Sequence, residues 1–597
     1  MYVIIGIVLL ISLSFLGRLF YIQVLDESYR LSAENNVLRY QVEFPARGLV
    51  YDRDGRLLVY NEAAYDLMVI PRQAKDIDTA AICRILNITH EQFARRITKA
   101  KNYSWRKPSV FEKQISLVTY ADLQEKLYRL QGFFVQTRTL RKYPQPIAAH
   151  LLGYVGEAGQ SLLDRDPYYK QGDYVGISGL EKSYEEELRG KKGVKVVMVD
   201  VFNRPKGSYK DGKYDTVAVA GKTIVSTLDA ELQAYGERLM QNKTGGIVAL
   251  EPSTGEILAL ISAPTFDPNL LVGRERSNNY LLLQADTLKP LFNRALMSEQ
   301  NPPGSTFKLI NALIGQQVGV LNVNTTYRCP RGYVSGSFRM GCHDHRSPLN
   351  LRESIQHSCN AYYGNVFRNI IDHTGKPWEG FEIWRNHVKS FGLGTLFNTD
   401  LPVEYDGHLP TKAYYDKYYG ENRWKSLTII SMAIGQGELG TTPLQLANMT
   451  AAIANRGFYY PPHLVKEIDG EPIANRFTEK HMTTIDREYF DPVVDGMAMV
   501  FQLGGTGYRS RMDSIVQCGK TGTAQNPHGE DHSIFICFAP KDDPKIALAV
   551  FVENAGGGSK YAAPIASLMV EKYLTDTIKR PLLEKPILEA DLIHPKP

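Results

Sequence analysis

Six cysteines in 597 residues are too few for a dense disulfide framework, so this is not a small scaffold held by cross-links. A net charge of +5 over that length offers no basic field, and no nucleic-acid partner is expected. Beyond the N-terminus there is no second long apolar run, which places the rest of the chain on one side of any membrane. Repeats and low-complexity tracts are absent too; Gly556-Gly557-Gly558 reads as a local turn. A phosphate-binding loop is also missing. Gly519-Lys520-Thr521 invites that reading, but the first glycine of the pattern falls on position 514, a serine.

What is present starts with an apolar segment. Tyr2 to Gly17 carries no charge and Leu19 to Leu25 adds none, leaving Arg18 alone. At about 1.5 Å per residue, roughly 24 residues span a bilayer. Asp26-Glu27-Ser28-Tyr29-Arg30 follows in place of a small-residue cleavage site, so residues 1–25 are expected to be an uncleaved transmembrane anchor rather than a signal peptide. No Lys or Arg precedes the run, and the positive-inside rule gives no orientation.

At 43% hydrophobic over its full length, the chain has the content of an ordinary globular protein of two or more domains. Residues 26–240 alternate β-rich runs with charged turns, include the basic stretch Lys99 to Lys107, and gather no nucleophile with a base. They are expected to form an elongated β-rich pedestal, a spacer or docking module. Residues 241–580 change pattern. Two apolar runs flank Pro252-Ser253-Thr254-Gly255, and three β-prone runs near 515–552 are parted by Asn526-Pro527-His528-Gly529 and Lys541-Asp542-Asp543-Pro544. Helical runs lie between these halves, and an amphipathic helix is expected over 563–574. The expected class is α+β: a roughly five-stranded antiparallel sheet packed by helices, with 581–597 as a tail.

Three short strings then fall in an order that serine acyl-transfer chemistry needs: Ser305-Thr306-Phe307-Lys308, Ser358-Cys359-Asn360 and Lys520-Thr521-Gly522-Thr523. Each alone is cheap, since a serine three residues before a lysine occurs roughly once per few hundred positions. The chain carries decoys in Ser104-Trp-Arg-Lys107, Lys243-Thr244-Gly245, His373-Thr374-Gly375 and Ser277-Asn-Asn279. Context decides. Pro302-Pro303-Gly304 cannot lie inside a helix, and Phe307, Ile310, Leu313, Ile314 and Val318 follow at spacings of three and four, so Ser305 opens a buried helix. Its hydroxyl and the Lys308 amine then share a face and are expected within hydrogen-bond reach. Ser104 sits in a polar stretch ending at Pro108 and reads as a solvated loop. Ser358-Cys359-Asn360 on its own reads equally well as a helix cap. Lys520 is placed on a strand flanking a cleft.

Cys329, Cys342 and His345 form a second cluster, with His357 or Cys359 available as a fourth ligand. Thiolates and imidazoles this close suit a structural zinc ion, although the spacing is not that of a zinc finger. A Cys329 to Cys342 disulfide, or free core thiols, is the competing reading. Cys359 and Cys518 read as small packing residues.

With all three strings in order behind an anchor, the chain resembles a penicillin-binding protein. Arg47-Gly48-Leu49-Val50-Tyr51-Asp52-Arg53-Asp54-Gly55 resembles the N-terminal signature of class B members, which carry a pedestal in place of a glycosyltransferase. Gly176-Ile-Ser-Gly-Leu-Glu181, with Tyr184 and Leu188-Arg189-Gly190, is similar to the same pedestal pattern. Ile434-Gly435-Gln436-Gly437, Thr442-Pro443-Leu444-Gln445 and Val552-Glu553-Asn554-Ala555-Gly556-Gly557-Gly558 resemble the elongation branch, penicillin-binding protein 2, rather than the division branch.

That resemblance implies a peptidoglycan D,D-transpeptidase in the cytoplasmic membrane with its catalytic domain outside, blocked by β-lactams and needing no cofactor. It implies Ser305 as nucleophile, Lys308 as base, Ser358 as proton relay and Asn360 as the group that holds the substrate amide. Lys520, Thr521 and Thr523, around Gly522, would hold the terminal carboxylate of a D-Ala-D-Ala stem peptide. Some elongation-type relatives carry metal near the cysteine cluster. Implied partners are a SEDS-type (RodA-like) glycosyltransferase and other elongation proteins. The alternatives are a division-type enzyme, a β-lactamase or D,D-carboxypeptidase relative, and a protein acting chiefly as activator of a glycosyltransferase. The pedestal of about two hundred residues argues against a hydrolase.

Overall fold

A computed structural model describes residues 1–21, 38–74, 77–199, 205–296 and 301–594. The chain divides into two interleaved compact units, one built from Met1–Gly48, Asn61–Leu140 and Glu186–Lys222, the other from Leu49–Tyr60, Arg141–Glu185 and Thr223–Pro597.

The first unit opens with the helix Tyr2–Phe20, long and apolar enough to cross a membrane and with none of its residues buried against protein. Residues 22–25 of the expected anchor, and the segment that lacks a cleavage site, lie outside the described residues. The strand Leu38–Glu43 pairs antiparallel with Gly193–Val199, placing Val42 opposite Val194. A separate core forms where Ser109–Ile115 pairs with the Leu57–Val69 strand from Tyr65 onward. Helices Thr79–Leu86, His90–Tyr103 and Leu117–Gln124 belong to the same unit, and the rings of Phe93, Phe111 and Phe133 meet in sequence at 5.1 Å each. The unit carries helices beside the expected strands. Thr79–Leu86 and His90–Tyr103 are amphipathic with explicit caps, such as the Thr89/Gln92 capping box, signals that a reading of β-runs passes over.

The second unit is the larger, and a five-stranded antiparallel sheet forms its centre. In chain order the strands are β1 (Gly245–Leu250), β2 (Ile257–Ala263), β3 (Cys518–Ala524), β4 (His532–Ala539) and β5 (Ile546–Val552), arranged β2-β1-β5-β4-β3. The expected hairpin and meander therefore join into one sheet, with Ile247 opposite Val550 and Lys520 opposite Ile536. Nearly every residue of these strands is buried, because helices pack on both faces, and the alternation usual for a one-sided sheet is lost. All twelve residues of Pro443–Ala454 are buried; its start is fixed by a Thr442/Gln445 capping box with Pro443 in the first turn. The closing helix Ala562–Thr575 is buried throughout its first ten residues and is less amphipathic than its sequence suggests.

The second unit also takes in stretches read from sequence as pedestal. The last crossing into it comes at Lys222/Thr223, ahead of the break expected at 240, because the helix Ala230–Leu239 belongs to the sheet: Gln233 donates to the Leu260 carbonyl and accepts from its amide. Within the class B-like signature, Arg53 reaches Glu251 at 2.7 Å and Glu256 at 3.4 Å, while Asp52 accepts from the amides of Asp54 and Arg56. Glu181 is fully buried and paired with Arg141 at 2.6 Å. These signature residues brace the larger unit.

Two decoys resolve as structure. Ser104 ends the helix His90–Tyr103 and accepts from the amides of Arg106 and Lys107. Lys243 is buried, and its amine donates to the carbonyls of Gln241, Ile587 and Ala590. That cation caps the helix Pro581–Glu589, so part of the expected tail is folded, with Glu584 also bonded to Tyr235 and Arg238. Replacing Lys243 by Ala strands the helix-end carbonyls and is expected to cost about 2 kcal/mol. Thermal unfolding would show a lowered Tm, with penicillin labelling of the folded fraction unchanged.

Candidate active site

The nucleophile candidate sits where a 3-10 turn, Gly304–Phe307, runs into the helix Lys308–Gln317. Nine successive residues of that helix, Lys308 to Gln316, are buried, and Phe307 packs on Trp384, which is stacked on Phe381 and donates to Asn311. Ser305 itself is only half-buried. The aromatic core therefore fixes the helix while its first turn faces outward.

Ser358 lies just before the helix Asn360–Asp372, with φ at +53°, a strained left-handed position for a residue with a side chain. The cap reading also holds: Cys359 is the N-cap and its sulfur accepts from the Tyr362 amide. Lys308 Nζ donates to the Ser358 carbonyl at 2.7 Å, to Asn360 Oδ1 at 2.6 Å and to Ser358 Oγ at 3.3 Å. From the sheet edge, Lys520 Nζ donates to the same Ser358 Oγ at 2.7 Å and to the Thr521 carbonyl at 2.9 Å. One hydroxyl thus bridges two amines that are both fully buried.

Burial pushes Lys308 down to about 8, against the opposing pull of the nearby Cys342, Cys359 and Cys329 sulfurs, Cys342 first. Lys520 is held well below the usual lysine range by burial and then by the Lys308 charge. The expected hydrogen bond between Ser305 and Lys308 is not formed, and among the described residues the Ser305 hydroxyl has no partner. The physical reason is valence. A protonated lysine has three donors, and the acceptors of Ser358 and Asn360 take all three.

Strand β3 sorts the remaining residues by its period of two. Lys520 and Gly522 face the helices, and a Cβ on Gly522 would lie 2.9 Å from Thr306 Cγ2. Thr521 Oγ1 pairs with Thr506 Oγ1 at 2.9 Å, a contact no motif announces. Thr523 is half-buried, and its hydroxyl accepts from the Gly558 amide. Lys520 acts from beneath the cleft rather than at its surface. Gln436 also belongs to the site, its side chain donating to the Thr523 carbonyl at 2.9 Å. Its string was legible in the sequence as a family feature, but nothing there placed it on β3.

Ligand atoms of Cys329, Cys342, His345 and Cys359 lie within 4.8 Å of one another, and all six cysteines of the chain are free thiols. His345 Nδ1 bonds the Arg346 carbonyl at 2.6 Å, which leaves Nε2 directed at Cys342 Sγ, 3.4 Å away. The Cys342 sulfur accepts from the Asn360 amide, and its thiol is pulled down, first by the Cys359 thiol and further by His343, Asn360 and His345. Cys359 is pushed up by Cys342 and by burial. His357 stacks on His345 outside the four-ligand set.

The chain matches known proteins along nearly its whole length. The penicillin-binding protein transpeptidase domain matches residues 245–571, and the penicillin-binding protein dimerisation domain matches residues 42–226. The peptidoglycan D,D-transpeptidase MrdA of Haemophilus influenzae is 30% identical over 97% of this chain and 92% of its own length. Among solved structures, the Helicobacter pylori penicillin-binding protein 2 in complex with MreC is 26% identical, covers 90% of this chain and 99% of its own, and has a TM-score of 0.75. A chain of a peptidoglycan synthase complex that coordinates polymerization and crosslinking is 27% identical, covers 96% and 98%, and has a TM-score of 0.72. The chain belongs to the penicillin-binding protein transpeptidase family, as a class B member of the elongation type.

Proposed function

We propose that this protein is a membrane-anchored D,D-transpeptidase that forms peptide cross-links in peptidoglycan during cell elongation, through an acyl-enzyme on Ser305. The observation that carries the reading is the Ser358 hydroxyl shared by two buried lysine amines beside a half-buried serine. In its neutral form Lys308 takes the Ser305 proton as the oxygen attacks the penultimate D-Ala carbonyl. The amides of Ser305 and Thr523 receive the oxyanion. Collapse breaks the peptide bond, and Ser358, supplied from the lysine pair, hands a proton to the departing D-Ala amine. An acceptor amine then attacks the ester, and the same groups run in reverse. Asn360 holds the substrate amide. The half-buried Thr523 hydroxyl, with Thr521 behind it and the buried Lys520 charge beneath, receives the terminal carboxylate.

The 1–25 segment serves as a single-pass anchor in the cytoplasmic membrane, with the catalytic domain of residues 241–580 outside it and residues 26–240 as pedestal. Partners of the kinds named in the solved relatives, MreC and a synthase that polymerises glycan, fit this role, and a SEDS-type glycosyltransferase supplies the strands. The acyl transfer itself uses no cofactor.

Cys329, Cys342, His345 and Cys359 suit tetrahedral zinc, with three sulfurs and one imidazole nitrogen, and the Arg346 carbonyl on the other imidazole nitrogen would fix the ring. A bound ion would neutralise the thiolates and hold the Ser358-Cys359-Asn360 turn by its middle residue. Elemental analysis of purified protein should give one zinc per chain, and Cys329→Ser with Cys359→Ser should remove it.

Ser305→Ala is expected to abolish covalent labelling by a fluorescent penicillin, read on a denaturing gel; persistent label would eliminate this serine as nucleophile. The pH profile is a second check. Because the neutral amine of Lys308 is the base, the acylation rate should climb about tenfold per unit below pH 8 and level off above it. A flat profile from pH 6 to 9 would assign the base elsewhere.

A further inference from the structure

The string Ile434-Gly435-Gln436-Gly437 has no part in the chemistry described so far, yet it touches both walls of the cleft. The 3-10 stretch Ser426–Ile434 ends in a left-handed Gly435, φ +68°, and the Gln436 amide turns back to the Ser431 carbonyl. Asn311, on the nucleophile helix, donates to the carbonyls of Met432 and Ala433. The Gly435 carbonyl accepts from the Gly304 amide at 2.9 Å, one residue before Ser305. Contact here leaves no room for a side chain: a Cβ on Gly435 would lie 2.1 Å from the Gly304 oxygen, and a Cβ on Gly304 2.6 Å from the Thr523 oxygen. The turn is therefore packed directly against Gly304, the residue before Ser305.

Its next residue reaches the opposite wall. Gln436 Nε2 donates to the Thr523 carbonyl at 2.9 Å, at the end of edge strand β3. Glycines flank that end on both sides: Gly522 precedes Thr523, and the neighbouring Gly558 would place a Cβ 2.4 Å from the Gly522 oxygen. The ladder pairs Thr523 with Ser533, and the Gln436 amide adds a side-chain donor to the carbonyl of its Thr523–Ala524 peptide. We propose that Gln436 is a positioning residue for the oxyanion hole, helping to set the distance between the Ser305 and Thr523 amides by a two-residue bridge that holds the adjoining peptide groups, Gly435 at the Gly304 amide and Gln436 at the Thr523 carbonyl. The role rests on the acyl-transfer reading above. Amides aimed at a developing oxyanion stabilise the transition state only if their spacing is set before the reaction.

The test uses the full chain in detergent and compares Gln436→Met, which keeps the volume and loses the donor, with Gln436→Lys, which keeps an N–H at similar reach. Acylation by a fluorescent penicillin should fall at least about tenfold in Gln436→Met, and affinity for a boronic acid that forms a tetrahedral adduct on Ser305 should fall by the same factor. Non-covalent penicillin affinity, measured in a Ser305→Ala background, should stay within about twofold, and Gln436→Lys should recover most of the acylation rate. Wild-type acylation in Gln436→Met would overturn the proposal. So would equal loss in the Met and Lys variants, or a matching loss of non-covalent affinity, which marks a collapsed site. Should Ser305→Ala alone still label covalently, the nucleophile assignment falls instead, and the two failures are told apart.

Discussion

Two lysine amines are held in the interior within reach of one serine hydroxyl, and the rest of the larger unit is arranged to make that tolerable. An ammonium ion moved out of water loses on the order of several kcal/mol even after the protein relaxes, and a second like charge nearby adds to the penalty. Three acceptors around Lys308 and two around Lys520 offset part of it. The remainder is relieved by lowering both proton affinities, so that a neutral amine exists near neutral pH. The same unfavourable burial that disfavours the charge is what the proposed base depends on.

Such an arrangement needs rigid supports from three directions. The aromatic cluster around Trp384 anchors the helix carrying Lys308, the sheet ladder fixes Lys520 opposite Ile536, and the strained turn at Ser358 is kept in place by what lies on either side. Glycines at 304, 435, 522 and 558 let these backbones approach to distances at which any Cβ would collide. Close approach of main chains, rather than side-chain packing, closes the top of the cleft.

The cysteine cluster enters this geometry through the middle of a motif. Cys359 stands between Ser358 and Asn360 and caps the following helix, while Cys342 receives the Asn360 amide. A residue that reads as packing from sequence is thus a structural member of the turn that carries Ser358 and Asn360. Charge in the cluster also reaches Lys308, since the Cys342 sulfur opposes the lowering that burial imposes on that amine.

Local patterns in the chain were enough to show the apolar N-terminal helix, the hairpin and meander, the helix after Pro303-Gly304 and the ordering of three catalytic strings, because each depends on periodicity or spacing over a few residues. They also grouped Cys329, Cys342 and His345, which lie close along the chain. What they missed depends on long-range pairing. Lys243 as a cap for the last helix, the signature residues Arg53 and Glu181 bracing the larger unit, Thr506 behind Thr521 and Gln436 on β3 each join segments far apart in sequence. The Ser305 to Lys308 contact failed for a related reason: shared helical spacing puts two side chains on one face, but the acceptors that claim an amine are supplied by whichever distant segment the fold brings alongside.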